Sequence, residues 1–340
     1  MSYGDAMRHV FLGIVIVTVL LFLGIGYSAY RYVTPRDYEE MTVVIPPHTG
    51  VRDVLKVLHE SGLTPPPMVV SLPLLVSGDG FKMKAGEYYF SPGMSPKQII
   101  AKLVKGDIVV HKFTMPEGWT IYQLKLLLNV QPLLTGDLPV DIPEGSVFPD
   151  TVHFTRGESR GAVLQRMQKA QADNLTALWA KRSADTPVET PEQALILASI
   201  VEKETGIENE RALIAGVFAN RLRRGMALQS DPTVVYGLMM EKGGAPVTRD
   251  LTTADLKRDT PYNTYTRVGL PPGLICNPGK AAIEAVLHPA TTDALYFVAT
   301  GTGGHNFSAS LKEHEANVTK YRAVLRAQHR EASPAAIRNN

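Results

Sequence analysis

Two carboxylates at the end of an apolar run are the residues of this chain best placed to do chemistry. Ala194-Leu195-Ile196-Leu197-Ala198-Ser199-Ile200-Val201 leads into Glu202-Lys203-Glu204-Thr205-Gly206. Thr190-Pro191-Glu192-Gln193 before it has the form of a capping box with proline at the first helical position, so a helix is predicted to open at Thr190. A helix that is apolar nearly all round is a buried one. Successive residues turn by about 100°, so Glu202 and Glu204 point roughly 200° apart and a single site can use only one of them. Glu204 shares its face with Ile200 and Val201 and stands just before Gly206, at the helix end where the macrodipole disfavours negative charge. Both influences raise a carboxyl pKa, as a general acid working near neutrality requires. In the competing reading both glutamates are surface partners of Lys203 and Arg211. Composition and spacing leave the two open.

Polar side chains crowd the loops that follow. Asn220-Arg221 ends a helix with the apolar stripe Leu213, Val217 and Phe218, and then come Leu228-Gln229-Ser230-Asp231-Pro232-Thr233 and Tyr236. Thr260-Pro261-Tyr262-Asn263-Thr264-Tyr265, Gly269-Leu270-Pro271-Pro272-Gly273, Asn277-Pro278-Gly279 and Gly303-Gly304-His305-Asn306-Phe307 complete the set. Amides, hydroxyls and aromatic rings on Pro/Gly loops suit sugars, whose faces stack on rings and whose hydroxyls bond amides. Ordinary turns use the same Asp-Pro and Asn-Pro-Gly strings, so the weight lies in five such loops within one segment. The candidate substrate contacts are Asn220, Gln229, Ser230, Asp231, Tyr262, Asn263 and Tyr265. A two-carboxylate glycosidase would need a second acid at a defined separation; Asp231 is the nearby candidate and reads instead as a loop-fixing or substrate-contacting residue.

The elements that must position these residues begin with Val10 to Ala29, an uncharged run rich in Val, Leu, Ile and Phe. At about 1.5 Å per residue it just spans roughly 30 Å of hydrocarbon, and Tyr27, Tyr30, Arg31, Tyr32 and Arg36 suit interfacial anchoring. A cleaved signal peptide would carry a shorter core and a small-x-small site, which Tyr27-Ser28-Ala29-Tyr30 lacks. An uncleaved anchor over 10–30 is therefore expected after residues 1–9, which are cytoplasmic only if the bulk of the chain works outside the cytoplasm. Arg8 on one side and Arg31 and Arg36 on the other leave the orientation undecided by charge.

Beyond the anchor, Thr42 to Ile45 reads as a strand and Val51, Val54, Leu55 and Leu58 as one helix face. Pro65-Pro66-Pro67 is a break, Glu87 to Phe90 a strand, Ser95-Pro96-Lys97-Gln98 a capping box, and Ile108 to Met115 a further strand. Ile45-Pro46-Pro47-His48-Thr49-Gly50-Val51 echoes Met115-Pro116-Glu117-Gly118-Trp119-Thr120-Ile121, either as two unrelated βα turns or as a small βα module of the kind that grips glycan chains. Residues 116–145 read as a connecting segment, Pro/Gly/Asp-rich from Asn129 on. Ala162 to Trp179 is helical, and from Thr190 to about Arg330 short helices and loops dominate, with one strand-like run, Ala294 to Ala299. The fold class is α+β: an N-terminal transmembrane helix, a small βα module, and a mixed, mainly helical domain with short strands.

Bulk properties exclude several classes. A net charge of +2 without a dense Lys/Arg block does not suit a nucleic-acid partner. The one cysteine, Cys276, precludes an intrachain disulfide. The histidines form no HExxH or Cys/His cluster, so no metal site is expected, and no lysine stands in a pyridoxal-phosphate-like motif.

Ala198 to Thr205, Asn220-Arg221-Leu222, Leu228 to Val234, Tyr262 to Tyr265 and Gly269 to Gly273 together resemble the endolytic murein transglycosylase family (MltG, YceG-like). Glu144-Gly145 and Phe148-Pro149-Asp150-Thr151 resemble that family's segment before its catalytic part. The resemblance implies a LysM-like glycan-binding module over 42–115, a catalytic domain over 146–330 and a tail over 331–340. It implies that Glu204 is catalytic and that no cofactor is used. The implied reaction cleaves the bond between N-acetylmuramic acid and N-acetylglucosamine within nascent glycan strands, leaving 1,6-anhydromuramyl ends. It further implies an inner-membrane, single-pass protein with its catalytic domain in the periplasm, with peptidoglycan glycan strands as substrate and a penicillin-binding protein synthase as partner. A hydrolytic muramidase using Glu204 with Asp231, and a non-catalytic wall-binding scaffold, are the alternatives.

Overall fold

Apolar periodicity and caps account for most of the helices. The computed structural model describes residues 3–331, and within them twelve helices and six short strands form a mixed α+β architecture divided into two units. The first unit holds residues up to His111 together with His153–Glu158; the second holds Lys112–Val152 and everything from Ser159. The expected connecting segment 116–145 therefore lies inside the second unit. The expected tail lies outside the described residues save for Glu331.

In the first unit, α1 (Tyr3–Val33) contains the run Met7–Val33, with a mean hydropathy of 2.7, long and apolar enough to cross a membrane. β1 (Met41–Ile45) pairs antiparallel with β2 (Gly86–Phe90), Val43 facing Tyr88. Between them run α2 (Val51–Glu60), which buries Val54, Leu55 and Leu58, and α3 (Pro67–Ser77). The proline run was expected only to break the chain. Instead Pro66 and Pro67 stand at the N-cap and first turn of α3, where the missing N–H costs nothing. In α4 (Pro96–Lys105) Ser95 and Gln98 form both halves of a capping box. The core gathers Val43, Ile45, Leu58, Tyr88, Phe90, Ile99 and Leu103, and Tyr32 from the end of α1 packs into it.

The expected strand over 108–115 is reduced to β3 (His111–Thr114), which pairs with β4 (Thr151–Phe154). The Pro/Gly echo has a geometric counterpart. His48, before α2, and Gly118, before α5 (Ile121–Asn129), occupy the same place in the repeat, and both have left-handed backbones, φ 61° and 73°. Each turn thus ends its strand and starts its helix by the same route.

In the second unit α7 (Pro191–Glu204), α8 (Arg211–Arg223) and α11 (Lys280–Leu287) supply a core of Leu197, Ile200, Val201, Ile214, Phe218, Ile283, Val286 and Leu287, and α6 (Arg160–Trp179) packs Leu175, Leu178 and Trp179 against it. α7 lies in the middle of it, with all eight residues from Ala194 to Val201 buried. The stripe of α8 runs through Ile214 rather than the expected Leu213. α9 (Asp231–Glu241) and the short α10 (Thr253–Lys257) follow. β5 (Tyr296–Ala299) pairs antiparallel with β6 (His305–Ser308), the latter expected as a loop. The short-helix expectation fails at α12 (Leu311–Glu331), whose half-buried His314, Asn317, Val318, Tyr321, Val324 and Leu325 recur every three or four residues beneath a polar surface.

Candidate active site

Thr190 caps α7 by accepting the Gln193 N–H, while Gln193 Oε1 accepts the N–H of Glu189 at 2.8 Å rather than that of Thr190. The helix then delivers its two terminal glutamates to different places. Glu202 Oε2 accepts the Gly279 N–H at 3.0 Å, at the N-terminus of α11, where a carboxylate complements the dipole. Glu204, the last helical residue, accepts a very short hydrogen bond from Ser230 Oγ. Among the described residues neither forms an ion pair with Lys203 or Arg211, so the surface-pair reading gives way to two buried or half-buried carboxyls with separate duties.

Burial pushes the Glu204 carboxyl up to about 7. The Ser230 hydroxyl opposes the rise, Asp231 adds to it, and His305 and Arg221 work against it. Glu202 is also raised, chiefly by burial and against the Gly279 bond.

Ser230 is the N-cap residue of α9, yet its side chain does not cap that helix and is given to Glu204 instead. The backbone there is over-determined. Gln229 is held in a left-handed conformation, φ 51°, with its N–H on Thr264 O at 3.0 Å. Ser230 N–H donates to Thr264 Oγ1 at 3.0 Å, and the buried Thr233 and Thr264 hydroxyls bond each other at 2.8 Å. A non-glycine residue kept in this region costs of order 1–3 kcal/mol and persists where neighbours enforce it, commonly at functional sites.

Glu204 opens onto a cleft of about 410 Å³ that it shares with Arg221, Gln229, Asp231, Tyr265, Tyr296 and His314. Tyr265 Oη donates to Asp231 Oδ1 at 2.5 Å, tying the two loops. Arg221 is almost fully buried; it donates to the carbonyls of Leu295 at 2.6 Å, Leu228 at 2.7 Å and Ala227 at 3.2 Å, and its guanidinium lies over the Tyr296 ring. Behind the cleft, Glu210 grips His305 through its backbone N–H at 2.9 Å and Nδ1 at 2.7 Å. A larger hollow of about 970 Å³ lies along α5 and α9 and also reaches Asp231 and Lys203.

Of the residues singled out from the sequence, Glu204, Gln229, Ser230, Asp231 and Tyr265 come together here. Asn220 and Asn263 have their amide groups committed to backbone: Asn220 to Thr292 O and Ala294 O, Asn263 to Leu256 O and Arg258 O. Tyr262 sits edge-on to Tyr236 and lines a separate hollow with the 266–272 loop. Arg221, Tyr296 and the Glu210–His305 pair were not anticipated. Arg221 had a signal, since a charge four residues after Val217 continues that helix's buried stripe. Glu144 stood out only through the family resemblance, and no spacing pointed to its burial: it is pushed up to about 7 although it accepts from Ile121 N–H, Tyr236 Oη and Asn277 Nδ2. Among the described residues no three His, Cys, Asp or Glu side chains gather as metal ligands.

The YceG-like family matches residues 43–320, and the chain belongs to that family. It is 29% identical over 360 residues to the endolytic murein transglycosylase of Streptococcus pneumoniae, covering 90% of this chain and 65% of that protein. It is 30% identical over 269 residues to the endolytic murein transglycosylase of Bacillus subtilis, covering 70% of this chain and 73% of that one. The chain thus spans slightly less than two thirds of the streptococcal relative. The crystal structure of a YceG-like protein from Listeria monocytogenes aligns with 82% of this chain and 98% of its own, at 31% identity and a TM-score of 0.48.

Proposed function

We propose that this chain is a membrane-anchored endolytic transglycosylase of peptidoglycan, with Glu204 as its single acid–base group. The observation that carries the reading is a half-buried carboxyl raised to about 7 at the mouth of a polar, aromatic-lined cleft. The activity carried in the names of the streptococcal and Bacillus relatives supports it. Protonated Glu204 donates to the glycosidic oxygen between N-acetylmuramic acid and N-acetylglucosamine. The resulting carboxylate takes the proton of the muramyl C6 hydroxyl, which closes on C1 to leave a 1,6-anhydro end without consuming water. Ser230 steadies the carboxylate after transfer, and a pKa near the working pH lets one group serve both steps.

Gln229, Asp231 and Tyr265 contact the sugars in this reading, beside the Tyr296 ring. Asn220, Tyr262 and Asn263 act by holding the loops. The β1–α2–α3–β2 order with its antiparallel pair supports a LysM-like glycan-binding module over 42–115. α1 anchors the chain in the inner membrane, with the catalytic part in the periplasm, where nascent strands and a penicillin-binding protein synthase would meet it.

Digestion of uncrosslinked glycan strands, read by mass spectrometry beside Glu204→Gln, tests the proposal. Internal fragments with 1,6-anhydromuramyl ends, absent with Glu204→Gln, are expected. Reducing muramic ends would instead identify a hydrolase that uses Asp231, and uncut but bound strands a scaffold.

A further inference from the structure

We propose that α3, with Phe81 after it, lies in the lipid–water interface beside α1 and gives the chain a second, in-plane contact with the membrane. The inference rests on reading α1 as a membrane span. α3 (Pro-Met-Val-Val-Ser-Leu-Pro-Leu-Leu-Val-Ser) carries no charge and is apolar all round, a composition proper to a buried helix or to one in lipid. Only Val70 and Leu74 are buried in the module. Met68 is 87% exposed, Leu75 75%, Val76 82% and Phe81 90%. A small hollow of about 160 Å³ between α2 and α3, lined by Val51, Leu55, Leu74, Leu75 and Phe81, adds to the apolar surface.

The position of α3 along α1 identifies what covers this face. Ser28 Oγ, buried within the apolar span, donates to Val69 O at 2.5 Å, and Tyr32 packs into the core that holds Val70 and Leu74. Ser28 precedes the last residue of α1, Val33, by about 7.5 Å at 1.5 Å per residue. That places the contact within the last turn and a half of α1, at the edge of the apolar span, the zone in which in-plane helices bury their apolar faces. The exposed rings of Tyr27 and Tyr30 and the charge of Arg31 mark the same level as a boundary. At about 16 Å, α3 is too short to cross a bilayer, so it can only lie within one leaflet.

The full chain in phosphatidylethanolamine–phosphatidylglycerol vesicles tests this. A cysteine is introduced singly by Leu75→Cys, Val76→Cys or Phe81→Cys and labelled with an environment-sensitive nitrobenzoxadiazole dye; Cys276 is buried. Leu20→Cys in α1 reports the span, and Lys56→Cys, on an exposed face of α2, reports water. Dyes at 75, 76 and 81 are expected to be quenched severalfold more by spin-labelled lipids than the dye at 56, and to be shielded from aqueous iodide. If they behave like position 56 while position 20 is lipid-quenched, the inference fails and the anchor stands. If position 20 is also aqueous, the anchor reading fails and takes the inference with it. Shielding from both quenchers would reveal a protein cover and overturn the proposal.

Discussion

Replacing Asp231 with Asn should shift the pH dependence of cleavage without abolishing it. Glu204 stands at about 7 against 4.5 for an unperturbed glutamate, a rise due first to burial and increased by the Asp231 carboxylate. Removing that charge while keeping the shape lowers the Glu204 pKa, and each unit corresponds to about 1.4 kcal/mol. For a drop of about one unit, the protonated fraction at pH 7 falls from about a half to about a tenth, whereas at pH 5 it hardly changes. Initial rates of strand cleavage across pH 5–8 should then show about a fivefold loss at pH 7, near-normal rates at pH 5, and a descending limb moved to lower pH. Ser230→Ala supplies the opposite sign, because the Ser230 bond favours the ionised carboxyl; its descending limb should move to higher pH. A uniform loss of a thousandfold or more with Asp231→Asn at every pH would refute this account. It would make Asp231 a participant in bond cleavage.

The remaining expectations concern stability. Glu144 and Glu204 both hold their protons more tightly folded than unfolded, so stability is lost as pH rises from about 4.5 and levels off above about 7, by up to about 3 kcal/mol for each group. Glu144→Gln should leave urea midpoints near pH 4.5 almost unchanged and flatten part of the decline up to pH 7.5; an unchanged slope would contradict the shift. Arg221→Ala, which strands three carbonyls, two of them buried, should cost about 2–4 kcal/mol in denaturant unfolding. Arg221→Lys should recover only part of that loss, lacking the planar fork. Gly216→Ala would bring a methyl group within 2.5 Å of Ala290 O and should destabilise the fold by about 1–3 kcal/mol, visible as a lowered melting temperature.

Local chemistry made much of this protein legible in its sequence. The apolar length of α1, the capping box of α4, the all-apolar middle of α7 and the opposed directions of Glu202 and Glu204 follow from spacing and side-chain type alone. α3 escaped notice because three prolines read as a break, although two of them occupy positions where a helix tolerates proline best. β6 was hidden because its strand is only four residues long and exists through its pairing with β5. Other features depend on distant parts of the chain. That Ser230 serves Glu204 and not its own helix, that Glu202 caps α11, that Arg221 reaches the carbonyl of Leu295, and that Glu144 meets Asn277 all join segments from 26 to 133 residues apart. Periodicity reports which face of an element is apolar. It carries no information about which polar group, brought from elsewhere by folding, will meet a buried carboxyl, and in this cleft such meetings adjust the proton affinity that burial gives Glu204.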